Sequence, residues 1–226
     1  MNTPTEFGTK KIRLWDWPIR LFHWAVVALF IVSWISAEVG GNAMQYHFWS
    51  GYTVLGLVLF RILWGWVGSE TARFSDFIRG PGAVQAYVRA WFKSSYRGTR
   101  GHNPLGGWSV AALLLTLGFQ TITGLFSNDD IANEGPLYHL VSKETSDLIS
   151  AGHALSFNVL LVLVALHIAA IILYRVKHRE NLLKPMLTGD KLVDENIPEP
   201  KQSSLGLALI LASAVAAGVY AVVTKL

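Results

Sequence analysis

Five long apolar stretches, separated by short polar segments, dominate the chain. They predict membrane spans over about residues 19–37, 46–67, 105–126, 148–174 and 204–223. An α-helix crosses a bilayer with roughly 20 residues at 1.5 Å each, so each stretch has about the necessary length. The pattern therefore predicts an all-α integral membrane bundle.

The composition agrees with a membrane protein. Of the 226 residues, 52% are hydrophobic and 15% are charged, and the mean hydropathy is positive. That is too apolar for a soluble domain of this size. Tryptophans gather near the predicted span ends, where amphipathic rings prefer the membrane interface. The net charge of +4 is thus attributed to membrane topology, and a nucleic-acid partner is not expected.

Lysine and arginine residues predict the orientation of the chain. With the amino end in the cytoplasm, 17 of the 19 lie on cytoplasmic segments or span ends, and only Lys143 and Lys225 lie outside. This is the distribution of the positive-inside rule. We therefore predict a multi-pass protein of the bacterial inner membrane, with a periplasmic carboxyl end.

Two polar connections carry further expectations. Between residues 68 and 104, Val84, Tyr87, Val88 and Trp91 share one face of a short amphipathic helix, which lies either in the membrane interface or against the bundle. The connector over residues 127–147 is acidic. It is either a solvated loop or a docking site for a basic redox protein.

Cysteine is absent from the sequence. A disulfide, a cysteine-ligated iron–sulfur cluster and a covalent C-x-x-C-H haem attachment are therefore excluded. Any haem must be held non-covalently, by histidine or methionine.

Four histidines in the predicted spans pair by depth. His153 and His167 are 14 residues apart in the fourth span, so they share a helix face and lie about 21 Å apart along its axis. On the predicted topology, His23 lies near the cytoplasmic face with His167, and His47 lies near the outer face with His153. Ionisable groups inside a membrane usually serve a function.

Two imidazoles on opposite faces of a porphyrin give six-coordinate iron, which carries electrons without binding substrate. Gly51 follows His47 by four residues on the same helix face and leaves space for a broad ligand. A transporter of metal ions or protons is one alternative, although carboxylates are missing from the histidine-bearing spans. A haem-free membrane anchor is the other.

Several motifs resemble one family. They are LWDWPIRLFHW (residues 14–24), His47 with Gly51-Tyr52, Arg61, Trp64-Gly65, GHNPLG (101–106), TGLF (123–126), His153 and His167. Together, over roughly residues 11–189, they resemble the bacterial dihaem cytochrome b family, which includes cytochrome b-561 and the cytochrome b subunits of nickel hydrogenases. The resemblance implies a four-helix core with two haem b groups, axial pairs His23/His167 and His47/His153, and electron exchange with the quinone pool. The fifth span departs from the four-span members.

Four further residues are candidate cofactor contacts. Arg20, Arg61 and Arg79 lie near the cytoplasmic face and are available to pair with haem propionates. His102, in the GHNPLG motif, is expected to hold a propionate or to help form a quinone site, with a loop cap as the alternative.

We therefore predict a dihaem domain over residues 1–190, followed by a linker and an extra transmembrane helix over residues 191–226. The predicted function is that of a membrane-bound b-type cytochrome that transfers electrons between the quinone pool and a redox partner. A periplasmic c-type cytochrome is favoured as this partner over a hydrogenase or other dehydrogenase subunit. Membrane lipid surrounds the bundle, and an oligomer is compatible with the sequence.

Overall fold

A computed structural model describes residues 8–92 and 99–225, and it confirms the predicted helical membrane bundle. The first seven residues of the chain lie outside the described part. The helices are α1 Trp17–Val39, α2 Met44–Val67, α3 Phe74–Phe77, α4 Pro81–Phe92, α5 Pro104–Gly124, α6 Lys143–Lys177, α7 Leu183–Thr188 and α8 Leu205–Lys225. Within the described residues, five of them (α1, α2, α5, α6 and α8) are long and apolar enough to cross a membrane.

Polar N-caps start three of the long helices. The Asp16 carboxylate accepts a 2.8 Å hydrogen bond from Ile19 N at the start of α1. Asn103 Oδ1 accepts a 2.7 Å bond from Gly106 N at the start of α5. Ser142 has the same role for α6. Such caps satisfy backbone donors that the first helical turn leaves unpaired.

Helices α1, α2, α5 and α6 form the core of the bundle, and α8 lies outside it against α2. At mid-depth the core is a buried cluster of Val54, Val58, Leu117 and Leu160. Gly56 faces α8, and a Cβ atom there would lie 3.9 Å from the side chains of two α8 valines. This is an ordinary van der Waals distance, so α8 packs directly on α2 at this position.

A two-stranded sheet, which the sequence analysis did not predict, ties the two polar ends of the chain together. Strand β1 (Thr9–Arg13) pairs antiparallel with β2 (Asp190–Asp194). The backbone N–H groups of Leu14 and Trp15 then donate to Gly189 O at 2.8 and 3.0 Å. The amino-terminal lead thus lies at the same end of the bundle as the linker before α8.

The long segment between α2 and α5 lies at this end as well. Thr71 Oγ1 donates to Leu14 O at 2.6 Å, and Glu70 N donates to Lys201 O at 2.9 Å. Three polar segments, which include residues 8–16, residues 68–92 with 99–103, and residues 178–204, therefore meet at one end.

Helix α4 packs on the bundle, which was one of the two alternatives for this amphipathic segment. The Tyr87 hydroxyl shares a hydrogen bond with the Tyr174 hydroxyl of α6. The Trp91 ring centroid lies 6.4 Å from that of Tyr174. The apolar face of α4 is thus turned towards protein.

Candidate functional site

The outer histidine pair joins α2 and α6. His47 lies in the first turn of α2 and His153 about ten residues into α6. Their ring centroids are 6.2 Å apart, and the ring planes are inclined by 72°. Metal–imidazole bonds are roughly 2 Å long, so rings at this separation leave room for one metal ion between them. The two histidines are therefore close enough to hold a single metal ion together.

A backbone carbonyl fixes the tautomer of His47. Its Nδ1 atom lies 2.9 Å from Ser33 O on α1. A carbonyl oxygen can only accept, so the proton is on Nδ1 and the lone pair is on Nε2. A partner on the second nitrogen is the usual way in which proteins orient a metal-bound imidazole.

Two polar side chains of α5 fix His153 in the same tautomer. Thr123 Oγ1 lies 3.1 Å from Nδ1, and Gln120 Nε2 lies 2.9 Å from Nε2. The Thr123 hydroxyl proton is used by Phe119 O at 2.7 Å, so Oγ1 accepts from Nδ1–H. The Nε2 lone pair that accepts from the Gln120 amide is the one that a metal would take. Gln120 was missed in the sequence analysis, which named Thr123 only as part of the TGLF motif, although the polarity of both residues inside an apolar span was a signal.

A cavity of about 600 Å³ lies beside this pair. Its lining includes His47, His153, Gly51 and Gly124. A Cβ atom at Gly51 would meet no heavy atom within 4 Å, so the space beside α2 is open there. The volume is within the range of cavities that hold organic cofactors. The donor set and the space around it therefore fit a haem group.

The inner histidine pair joins α1 and α6. The ring centroids of His23 and His167 are 6.5 Å apart, with the planes inclined by 50°. His23 Nδ1 is buried, and the described residues offer it no hydrogen-bond partner. A buried nitrogen without a partner costs about 1–3 kcal/mol. A cofactor bound between His23 and His167 would offer this nitrogen a partner, so the inner pair also fits a metal-containing group.

The two pairs lie one above the other with a layer of apolar side chains between them. His153 and His167 are 14 residues apart on one continuous helix, which corresponds to about 21 Å. The buried cluster at mid-depth lies between the two levels, together with Phe30, whose ring stacks on Phe157 at 6.0 Å. The residues between the two pairs are therefore apolar.

Arg61 is buried in the second half of α2, towards the same end of the bundle as the inner pair. It is only 3% exposed, and its guanidinium lies 5.2 and 5.7 Å from the ring centroids of Phe74 and Phe77. Its Nη1 atom has no hydrogen-bond partner among the described residues. A buried guanidinium with an unpaired donor is costly, so the site fits an anionic group such as a propionate.

His102 lies between two aromatic rings near Arg61. Its ring centroid is 4.7 Å from that of Trp15 and 4.7 Å from that of Phe77. Burial, and then the positive charges of Arg61 and His167, lower the pKa of His102 to about 3. His102 is therefore a neutral hydrogen-bonding group at neutral pH rather than a cation.

The two other arginines make different contacts. Arg20 donates to Met186 O at 3.3 Å and to Leu187 O, and its guanidinium lies 4.4 Å from the Trp17 ring. Arg79 is exposed and donates to a nearby backbone oxygen, Asp76 O, at 2.5 Å. Neither set of contacts includes a histidine of the two pairs.

These features define a class of protein, a helical membrane protein with two intramembrane histidine pairs stacked along its axis. The family described as prokaryotic cytochrome b561 matches residues 14–189, and the chain belongs to this family. It is a multi-pass membrane cytochrome of the b type that takes part in electron transfer, and the family implies b-type haem. The match includes both pairs and ends before β2 and α8.

Two curated relatives support the assignment. The chain is 24% identical over 214 residues to a "Probable Ni/Fe-hydrogenase B-type cytochrome subunit" of Rhizobium leguminosarum bv. viciae, covering 81% of this chain and 90% of the relative. It is 22% identical over 243 residues to a protein of the same description from Azotobacter chroococcum mcd 1, covering 86% and 97%. No solved structure matches the chain significantly.

Proposed function

We propose that the protein carries electrons across the bacterial inner membrane through two haem b groups, one held by His47 and His153 and the other by His23 and His167. The observation that carries the proposal is the arrangement of the two pairs, each contributed by two helices and each with ring centroids 6.2–6.5 Å apart. Bound haem supplies one-electron chemistry at its iron, without a protein side chain that reacts covalently.

The surrounding residues hold the ligands and control their environment. Ser33 O and Thr123 Oγ1 orient the two outer imidazoles with Nε2 as the metal-binding atom. The buried cluster at mid-depth keeps water away from the space between the two levels. Arg61 supplies a buried positive charge, and it is the arginine that we assign to a propionate of the inner haem. His102, which interacts with Arg61, is proposed to donate or accept a hydrogen bond at the same haem edge.

The proposed orientation of the protein in the membrane rests on the distribution of its charged residues. The structure gathers the polar segments that carry most of the lysines and arginines at one end of the bundle and leaves the connector over residues 127–147 at the other. By the positive-inside rule, we place the basic end in the cytoplasm and the carboxyl end of α8 in the periplasm. The acidic connector then faces the periplasm, where we propose that the redox partner docks.

A hydrogenase is the partner that the comparisons favour. Both curated relatives are described as cytochrome subunits of nickel–iron hydrogenases. These descriptions support a hydrogenase as the partner, whereas the sequence analysis favoured a periplasmic c-type cytochrome. We therefore propose electron transfer between a hydrogenase and the quinone pool.

Isolation of the protein with its native partner tests this function. The protein is produced with an affinity tag at its amino end, and membranes are solubilised in a mild detergent. The extract is passed over the matching affinity resin, and the retained proteins are identified by mass spectrometry. The expected result is a haem-containing cytochrome that co-purifies with hydrogenase subunits and whose haem is reduced by hydrogen. Recovery of a c-type cytochrome with no hydrogenase would contradict the proposed partner. A colourless, fully assembled protein would contradict the electron-transfer function itself and favour a transporter.

A further inference from the structure

Helix α8, which lies outside the matched part of the chain, forms one wall of a second cavity. This apolar groove has a volume of about 840 Å³ and lies between α1, α2 and α8. We call it the α8 groove and define it by six lining residues: Trp17, Leu21, Tyr52, Gly56, Ala212 and Ala216. The small side chains of α8 and the glycine of α2 leave the space that larger residues would fill.

The α8 groove is long and follows the helix axis. Its α8 lining extends from Leu205 to Val223, which is about 27 Å of helix and close to the thickness of the hydrocarbon layer. Trp17 lies at the basic end of the bundle and Trp49 at the opposite end. The groove therefore fits a long apolar chain better than a compact molecule.

Tyr52 connects the α8 groove with the outer histidine pair. Its side chain lines this groove and also the 600 Å³ cavity that contains His47 and His153. Tyr52 is half-buried and stacks on Phe48 at 6.1 Å. It thus places a phenolic hydroxyl, which can both donate and accept a hydrogen bond, on the wall between the two spaces.

Two other hydroxyl groups, those of Thr53 and Tyr220, line this end of the groove. Thr53 Oγ1 donates to Trp49 O at 2.8 Å within its own helix. Tyr220 also lines the groove, but it is 64% exposed and does not line the cavity of the outer histidine pair. Tyr52 is therefore the polar group best placed to meet a ligand that reaches from the groove towards the outer pair.

We propose that the α8 groove binds an isoprenoid quinone, with its tail along α8 and its ring at Tyr52 beside the outer histidine pair. The inference rests on the proposed function, because that function requires exchange with the quinone pool. An apolar tail matches the apolar lining, and a ring carbonyl or hydroxyl matches the Tyr52 hydroxyl. A phospholipid acyl chain shares the chemistry of the tail but has no ring to place at Tyr52.

Two neighbouring alanines of α8 provide a matched test. Ala216 lines the groove, whereas Ala217 is exposed on another face and does not line it. The full-length, haem-loaded protein and its Ala216→Phe and Ala217→Phe variants are placed in nanodiscs with ubiquinone-10. Bound quinone and phospholipid are quantified by extraction and chromatography. Ala216→Phe is expected to bind at least fivefold less ubiquinone-10 than the wild type while it keeps the wild-type haem content. Ala217→Phe is expected to match the wild type in both quantities.

A kinetic test separates the tail from the ring. Ala216→Phe should slow haem reduction by ubiquinol-10 but leave reduction by ubiquinol-1, which has a short tail, within about twofold of wild type. Tyr52→Phe should slow reduction by both quinols. Equal behaviour of Ala216→Phe and Ala217→Phe, or loss of a phospholipid rather than quinone, would overturn the inference and leave the proposed function intact. If neither quinol reduces the wild-type haem, the proposed quinone exchange fails and the inference fails with it.

Discussion

The Nδ1 atom of His47 on α2 lies 2.9 Å from the carbonyl oxygen of Ser33 on α1. The hydroxyl oxygens of Ser33 and Ser50 are 2.5 Å apart, one turn along α2 from His47. Helix α1 thus contacts both the His47 ring and the next turn of α2. The orientation of the outer imidazole depends on how these two helices pack.

Replacement of Ser50 by alanine tests this interhelical contact. Ser50 is 3% exposed, and its loss removes the hydroxyl that faces Ser33. Interhelical hydrogen bonds in membranes contribute about 0.6 kcal/mol on average. We expect a thermal midpoint in detergent that is lower by a few degrees, with both haem groups retained. Thr53→Ala is the control, because Thr53 is exposed and bonds only within α2. Equal losses in the two variants would contradict the role of the contact.

Asp16 joins the start of α1 to α2. Its carboxylate accepts from Ile19 N at 2.8 Å and from the Trp64 indole at 2.9 Å, and Trp64 is fully buried. Asp16→Ala should lower the free energy of unfolding by about 1 kcal/mol for the cap and by a further 1–3 kcal/mol for the orphaned indole N–H.

A double-mutant cycle separates these two contributions. In a Trp64→Phe background no indole N–H remains, so Asp16→Ala should cost only the cap. The measurement is equilibrium or thermal unfolding of the four proteins in one detergent. An identical cost of Asp16→Ala in both backgrounds would show that the indole bond contributes nothing.

Arg61 should influence the potential of the inner haem. A buried positive charge stabilises the reduced, less positive haem, so Arg61→Gln should lower one of the two midpoint potentials by on the order of 60 mV, or about 1.4 kcal/mol. A redox titration monitored in the haem absorption bands provides the measurement. Arg79→Gln serves as the control, because Arg79 is exposed. Unchanged potentials in Arg61→Gln would argue against the placement of a propionate at this arginine.

His102 should make stability depend on pH. Burial and the nearby positive charges lower its pKa in the folded protein to about 3, whereas in the unfolded chain the value is near 6.5. Between these values the unfolded state binds the extra proton. Stability is therefore complete above pH 6.5 and falls on acidification towards pH 3, by up to about 1.4 kcal/mol per pH unit.

His102→Gln removes this titration while it keeps a neutral hydrogen-bonding side chain. The variant should show a shallower loss of thermal stability between pH 6.5 and pH 4.5 than the wild type. His139→Gln, in the outer connector, should follow the wild-type curve. If the curves of His102→Gln and the wild type run parallel, another group causes the acid sensitivity.

The spans and the relative depth of the histidines could be predicted because a membrane imposes strong rules on sequence. The observed helices differ from the predicted spans by a few residues, most of all at α6, whose first turns extend beyond the apolar run. The sheet could not be predicted, since β1 and β2 are five-residue polar segments almost 180 residues apart. No local pattern identifies such a pairing.

The polar residues around the ligands were only partly accessible from the sequence. Gln120 and Thr123 stand out in the third span, but their contacts with His153 depend on how α5 packs on α6. Arg20 and Arg61 have the same charge and similar predicted depth. Packing gives them different environments, because Arg20 binds the carbonyls before Gly189 whereas Arg61 is enclosed by aromatic rings.

Haem content in histidine variants tests the central claim most directly. Purified wild-type protein should contain two haem b groups per chain by pyridine haemochrome quantitation. His47→Ala, His153→Ala and the double variant should each retain one, because both residues serve the same haem. A variant that combines His47→Ala with His23→Ala should retain none. One haem in the wild type, or a further loss in the His47/His153 double variant, would contradict the assignment of the two pairs.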